Sequence, residues 1–141
     1  MNIKQLHPNF IMPTLGSTGA GAYDLYMPEA GVLTQAGEGT AVKLGFAAEV
    51  PPGFVALLLP RSGTGAKAGV SLNNTVGVID SDYRGEWIAN LRLRNEAPFS
   101  WEAGDRVLQM LVVPVAVLHL HLVDDLDVTE RGDGGFGSSG Q

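Results

Sequence analysis

The chain has 141 residues, about one domain's length, and no cysteine, which excludes disulfides, thiolate metal sites and cysteine nucleophiles. Charged residues are 17% and apolar residues 45%, which argues against disorder along most of the length. Nine basic against fifteen acidic side chains give a formal net charge of -6, which disfavours general nucleic-acid binding but leaves room for one small anion held by a few arginines.

Nineteen glycines and eight prolines call for many tight turns, and the apolar residues fall into short runs between them. The first ten residues are followed by no apolar h-region, so no signal peptide is expected and the location is expected to be cytoplasmic. Phe54 to Leu59 follows Pro51-Pro52-Gly53 and reads as a strand. Ser62 to Lys67 is the one helical candidate, weakened by Gly63 and Gly65. Val76 to Ile79 follows Asn73-Asn74 as a second apolar run. From Trp87 to Asn95 the pattern alternates, with Trp87, Ala89, Leu91 and Leu93 on one face and Asn90, Arg92 and Arg94 on the other.

Phe99 to Trp101 lies between Pro98 and Gly104, and Val107 to Val113 follows Gly104-Asp105. Leu118, Leu120 and Leu122 alternate with His119 and His121, which predicts another half-buried strand. The longest uncharged apolar run, Met110 to Leu118, is interrupted by Pro114 and falls short of the roughly 20 residues that span a membrane. From Arg131 to Gln141 five glycines give the composition of a mobile tail. Strands at this spacing predict an all-β sandwich or jelly roll.

Three segments concentrate chemistry. Pro60-Arg61-Ser62-Gly63-Thr64-Gly65 sets a guanidinium and a hydroxyl beside bare glycine backbone, suited to phosphate, though taken alone it reads as a strand-ending turn. Gly77 to Glu86 places Asp80 and Asp82, an aromatic and an arginine at a strand end, where a held carboxylate can activate water; a charged hairpin is an equal reading. The tail sets Arg131, Phe136 and two serines among glycines, a pattern that can close over a nucleotide. His119 and His121 share a strand face but lack a third ligand apart from distant His7, so a solvated or interface face is expected there. Asp124-Asp125-Leu126-Asp127 lacks the glycine and the later glutamate of a calcium loop and reads as linker.

Taken in order, these segments resemble the five motifs of the trimeric dUTP pyrophosphatases (dUTPases). The first is Ala20-Gly21-Ala22-Tyr23-Asp24-Leu25 and the second Pro60-Arg61-Ser62-Gly63. The third runs from Asn74 through Gly77-Val78-Ile79-Asp80-Ser81-Asp82-Tyr83 to Gly85-Glu86. The fourth is Arg106-Val107-Leu108-Gln109-Met110, and the fifth is the tail from Arg131 to Gly140. Tyr23 replaces a smaller family residue, the second motif lacks its common histidine, and Ser139 stands for a frequent threonine.

The resemblance implies a distorted jelly-roll or β-clip barrel over residues 1–128 and a glycine-rich arm, 129–141, that completes a neighbouring subunit's site in a homotrimer. It implies hydrolysis of dUTP to dUMP and pyrophosphate with Mg2+, limiting uracil in DNA and supplying dUMP for thymidylate synthesis, with no nucleic-acid or membrane partner. It assigns Asp80 to activating water and Asp24 to magnesium through a water. The uracil edge goes to Asn74 with the backbone of Gly77, Val78 and Ile79, and the deoxyribose to Tyr83. The phosphates go to Arg61, Ser62, Gly63 and Gln109, and the clasp to Arg131, Phe136, Gly137 and Ser138. A dCTP deaminase shares this fold but needs a glutamate beside the base, for which no counterpart stands here. A non-catalytic nucleotide-dependent regulator or structural jelly roll has no need to keep Asp80.

Overall fold

The structure is a computed structural model that describes residues 1–37 and 39–135. In chain order its strands are β1 (Asn2–Gln5), β2 (Thr14–Leu15), β3 (Tyr23–Tyr26), β4 (Gly31–Leu33), β5 (Thr40–Lys43) and β6 (Phe46–Glu49). There follow β7 (Phe54–Pro60), β8 (Val70–Leu72), β9 (Gly77–Ile79), β10 (Ile88–Leu93), β11 (Phe99–Trp101) and β12 (Arg106–Pro114). They pair in four open sheets, β2-β3-β12-β7-β9, β5-β10-β8, β1-β6 and β4-β11, rather than in one closed barrel.

Period-2 patterning places the core. In β10 and the residue before it, Trp87, Ala89 and Leu91 are 0% exposed and Leu93 1%, as the alternation requires. Trp87 packs on Phe46 at 4.9 Å between ring centroids, and Phe46 on Phe10 at 5.4 Å, joining β6 to β10 through side chains. Each buried leucine here contributes roughly 1.5–3 kcal/mol relative to exposure. The longest ladder, β12 on β7, runs from Leu108↔Pro60 to Pro114↔Phe54 and fixes the register of the large sheet. One face of that ladder sends Leu58, Leu108 and Met110 into the core. The other leaves Leu57, Leu59, Gln109, Leu111 and Val113 half-buried, a largely apolar face with no second sheet over it among the described residues.

Gly63–Lys67 forms a single π-helical turn at the expected place, closed by Ala68 N–H to Gly63 O at 3.4 Å. No helix among the described residues is long and apolar enough to cross a membrane. The alternation at Leu118–Leu122 does not make a strand. Past Val115, whose N–H donates to Gly53 O (2.9 Å), residues 116–130 join no sheet, and Leu118, Leu120 and Leu122 are 75%, 92% and 102% exposed. A strand needs a neighbouring backbone to complete its ladder, and none of the described residues pairs with this segment.

Candidate active site

Two clusters of the sequence-predicted residues form, at different ends of the large sheet. The first lies where β3, β12 and the end of β7 meet. Gln109 stands opposite Asp24 on one side and Leu59 on the other, so the ladder sets Asp24, Gln109 and the exit of β7 in one row. Asp24 is buried, and its carboxylate is gripped from two sides: Arg61 Nε to Oδ1 at 2.7 Å and Arg106 Nη1 to Oδ2 at 3.2 Å. Arg61 Nη1 also donates to the Arg106 carbonyl at 3.2 Å, and Gln109 Nε2 to the Pro60 carbonyl at 3.1 Å. Two guanidiniums share one carboxylate, which leaves the cluster with a surplus of positive charge. Ser62 and Gly63 follow at once, both exposed, as the chain enters the π-helical turn. Fixed guanidiniums beside open backbone suit an anion with several oxygens.

The second cluster is built on β9, an edge strand that pairs only with β7, leaving one row of its backbone groups without a strand partner. A β-carbon at Gly77 would stand 2.9 Å from Leu58 Cβ, so only glycine lets β9 lie this close to β7. Asn74 sits in the turn before it, where the Val76 N–H closes on the Asn74 carbonyl at 2.8 Å around Thr75, whose φ of 68° is left-handed. After β9, Tyr83 N–H returns to the Asp80 carbonyl at 3.2 Å, so Asp80 and Tyr83 begin and end one tight turn. Asp80 and Tyr83 line, with Val78, Ile79 and Ile88, a cleft of about 160 Å³.

The Asp80 end of β9 runs away from the first cluster. Ile79 stands opposite Ala56, and Arg61 is five residues farther along β7, about 17 Å at the rise of a strand. Arg131 lies apart from both: its Nε donates to the Gly134 carbonyl at 2.9 Å within its own exposed turn. Phe136, Gly137 and Ser138 lie outside the described residues.

A model of the dUTPase family matches residues 8–140. This chain belongs to the dUTPase family. A deoxyuridine 5'-triphosphate nucleotidohydrolase of Shewanella baltica (strain OS185) is 43% identical over 139 residues, spanning 97% of this chain and 91% of the relative. The dUTPase of Staphylococcus bacteriophage 80alpha, solved with dUPNHPP, superposes with a TM-score of 0.91 at 28% identity, covering 99% of this chain and 98% of that one. A mutant dUTPase from phage phi11 of S. aureus, described with a structural Mg(II) ion, shares the fold at a TM-score of 0.78 and 23% identity over 88% of this chain and 96% of that one.

Within the dUTPase frame one contact was missing from the sequence-based site. Arg106 opens the fourth motif, and its guanidinium is the second partner of Asp24, 82 residues away. Its position directly across the ladder from Tyr26, two residues beyond Asp24, is the only signal, and it needs the register to be known. The donor set also bears on a metal. No group of three or more His, Cys, Asp or Glu side chains able to hold an ion occurs among the described residues, and His119 and His121 lie in the unpaired segment. Each oxygen of Asp24 makes one contact to an arginine and retains a lone pair for a metal-bound water.

Proposed function

We propose that this chain hydrolyses dUTP to dUMP and pyrophosphate, as a homotrimer whose active sites are shared between subunits. The observation that carries the reading is the Asp80–Tyr83 turn at the mouth of the β9 cleft, in a chain of the dUTPase family. The free edge of β9 and the Asn74 amide supply donors and acceptors for a uracil edge. Tyr83 forms the wall on which the deoxyribose packs, where a ribose 2′-hydroxyl collides.

The Asp80 carboxylate orients a water and takes its proton as the water oxygen bonds to the α-phosphorus. The opposite bond, to the α,β-bridging oxygen, breaks in line, and pyrophosphate leaves with that electron pair. Arg61, Ser62, Gly63 and Gln109 hold the phosphate oxygens, Arg61 the outer ones. Asp24 aims the two guanidiniums and would hold a magnesium ion through a water. A magnesium ion held chiefly by the triphosphate and waters would neutralise phosphate charge, which fits the lack of a carboxylate cage among the described residues. Arg131 and Ser138 clasp the terminal phosphate, with Gly137 between them and Phe136 assigned to the base.

The separation of Asp80 from Arg61 along the large sheet supports a shared site. In this reading Asp80 serves the α-phosphorus while Ser62 and Gln109 hold oxygens of the same triphosphate, and a separation of about 17 Å along one strand favours drawing the two from different copies. A second copy supplying the other half removes that separation. The half-exposed apolar face of β7 and β12 and the bare leucines of residues 118–122 give the copies surface to bury.

Pyrophosphate release measured across dUTP, dTTP, dCTP and UTP with magnesium tests the reading. Release from dUTP alone is expected. Ammonia from dCTP with no pyrophosphate from dUTP assigns a deaminase instead.

A further inference from the structure

Gly85 stands at the hydroxyl tip of the Tyr83 ring. A β-carbon there would lie 2.4 Å from the phenolic oxygen, 2.7 Å from Cζ and 3.1 Å from Cε2. The phenolic O–H donates to the Glu86 carbonyl at 3.1 Å, so the ring folds back along its own loop and is tied at the far end. The backbone beneath is fastened independently. Arg84 Nη1 donates to the Ser81 carbonyl at 2.7 Å and the Tyr83 carbonyl at 3.1 Å, and Trp87 N–H is anchored to the Phe46 carbonyl at 2.9 Å. Glu86 is itself paired with Lys43 on β5, Nζ to Oε2 at 3.2 Å. With the backbone held by these bonds, atoms added at residue 85 are accommodated by the ring, which is 43% exposed and can yield by giving up its hydrogen bond to Glu86.

We infer that Gly85 is a specificity-determining position: by leaving room for the tied Tyr83 ring, it fixes the wall that separates deoxyribose from ribose. The inference rests on the reading of that wall as the sugar subsite. Gly85 touches no substrate; it acts through Tyr83 and is a positioning residue. Displacing the ring opens space beside the sugar carbon that carries the 2′-hydroxyl in a ribonucleotide, so the penalty against UTP falls while the Asp80 end of the turn stays in place. A purely structural glycine lowers stability and leaves the choice of sugar unchanged.

The test compares kcat/KM for dUTP and UTP in the full-length wild type, Gly85→Ala and Tyr83→Phe, with oligomer mass and thermal unfolding followed alongside. The dUTP:UTP ratio is expected to fall by about tenfold or more in Gly85→Ala, mostly through a lower KM for UTP and a higher KM for dUTP. Tyr83→Phe, which removes the tie to Glu86 without adding bulk, is expected to lower the ratio by about threefold, and it carries the test alone where Gly85→Ala does not fold. A wild type that discriminates strongly while both variants keep its ratio overturns the role of Gly85. A wild type that does not hydrolyse dUTP overturns the underlying function instead.

Discussion

Replacing Asp24 with asparagine separates two roles for this carboxylate. The side chain is only 10% exposed and faces two guanidiniums, at 2.7 and 3.2 Å. Asparagine keeps one acceptor oxygen but turns an N–H2 group toward one of the arginines, so a donor meets a donor and two cations lose their shared counter-charge. Removing one partner of a fully buried ion pair costs roughly 3–5 kcal/mol. Here the guanidinium side chains are 35% and 46% exposed, and water takes up part of the loss. The discounted penalty is about 1–3 kcal/mol. At fixed protein concentration the urea midpoint of Asp24→Asn is expected to fall by about 1 M with an unchanged slope. An unchanged midpoint accompanied by a weaker response to magnesium refutes the clamp and leaves Asp24 with the water-mediated ion contact alone.

Asp80→Asn is expected to abolish turnover while binding of a nonhydrolysable dUTP analogue, measured by calorimetry, stays within a small factor; normal turnover removes Asp80 from the mechanism. Ending the chain before residue 129 is expected to leave a folded protein by circular dichroism with little pyrophosphate release, and full activity would refute the clasp. Leu120→Asp, at a side chain 92% exposed in the single chain, is expected to leave the folded core intact but weaken assembly by more than tenfold in sedimentation. An undisturbed oligomer would show that the leucine segment is not buried between copies.

Local patterns were legible where the chain supplies its own partners. The alternation from Trp87 to Asn95 is a core strand because β5 and β8 flank β10 on both sides. The equally regular alternation from Leu118 to Leu122 is not a strand in the single chain. Periodicity states which side chains are buried once a ladder exists, but carries no information on whether the ladder partner belongs to the same molecule. The motif residues were legible as chemical types in order, yet their grouping was not. Asp24 reads as a carboxylate near a triphosphate, and only the bulged register of β3 on β12 shows Arg106 beside it. The division of the motifs into two clusters likewise depends on the antiparallel pairing of β7 with β9, which runs Arg61 and Asp80 in opposite directions.

That division has a genetic consequence. If, as proposed, each catalytic centre draws its water-activating half from one polypeptide and its anion-holding half from another, a lesion in Asp80 and a lesion in Arg61 damage different halves. Chains bearing one defect each are expected to be inert when assembled alone. Co-assembled, they are expected to bring an undamaged pair of halves together at one centre of the proposed mixed trimer, so two null alleles would complement each other where two lesions in the same half would not.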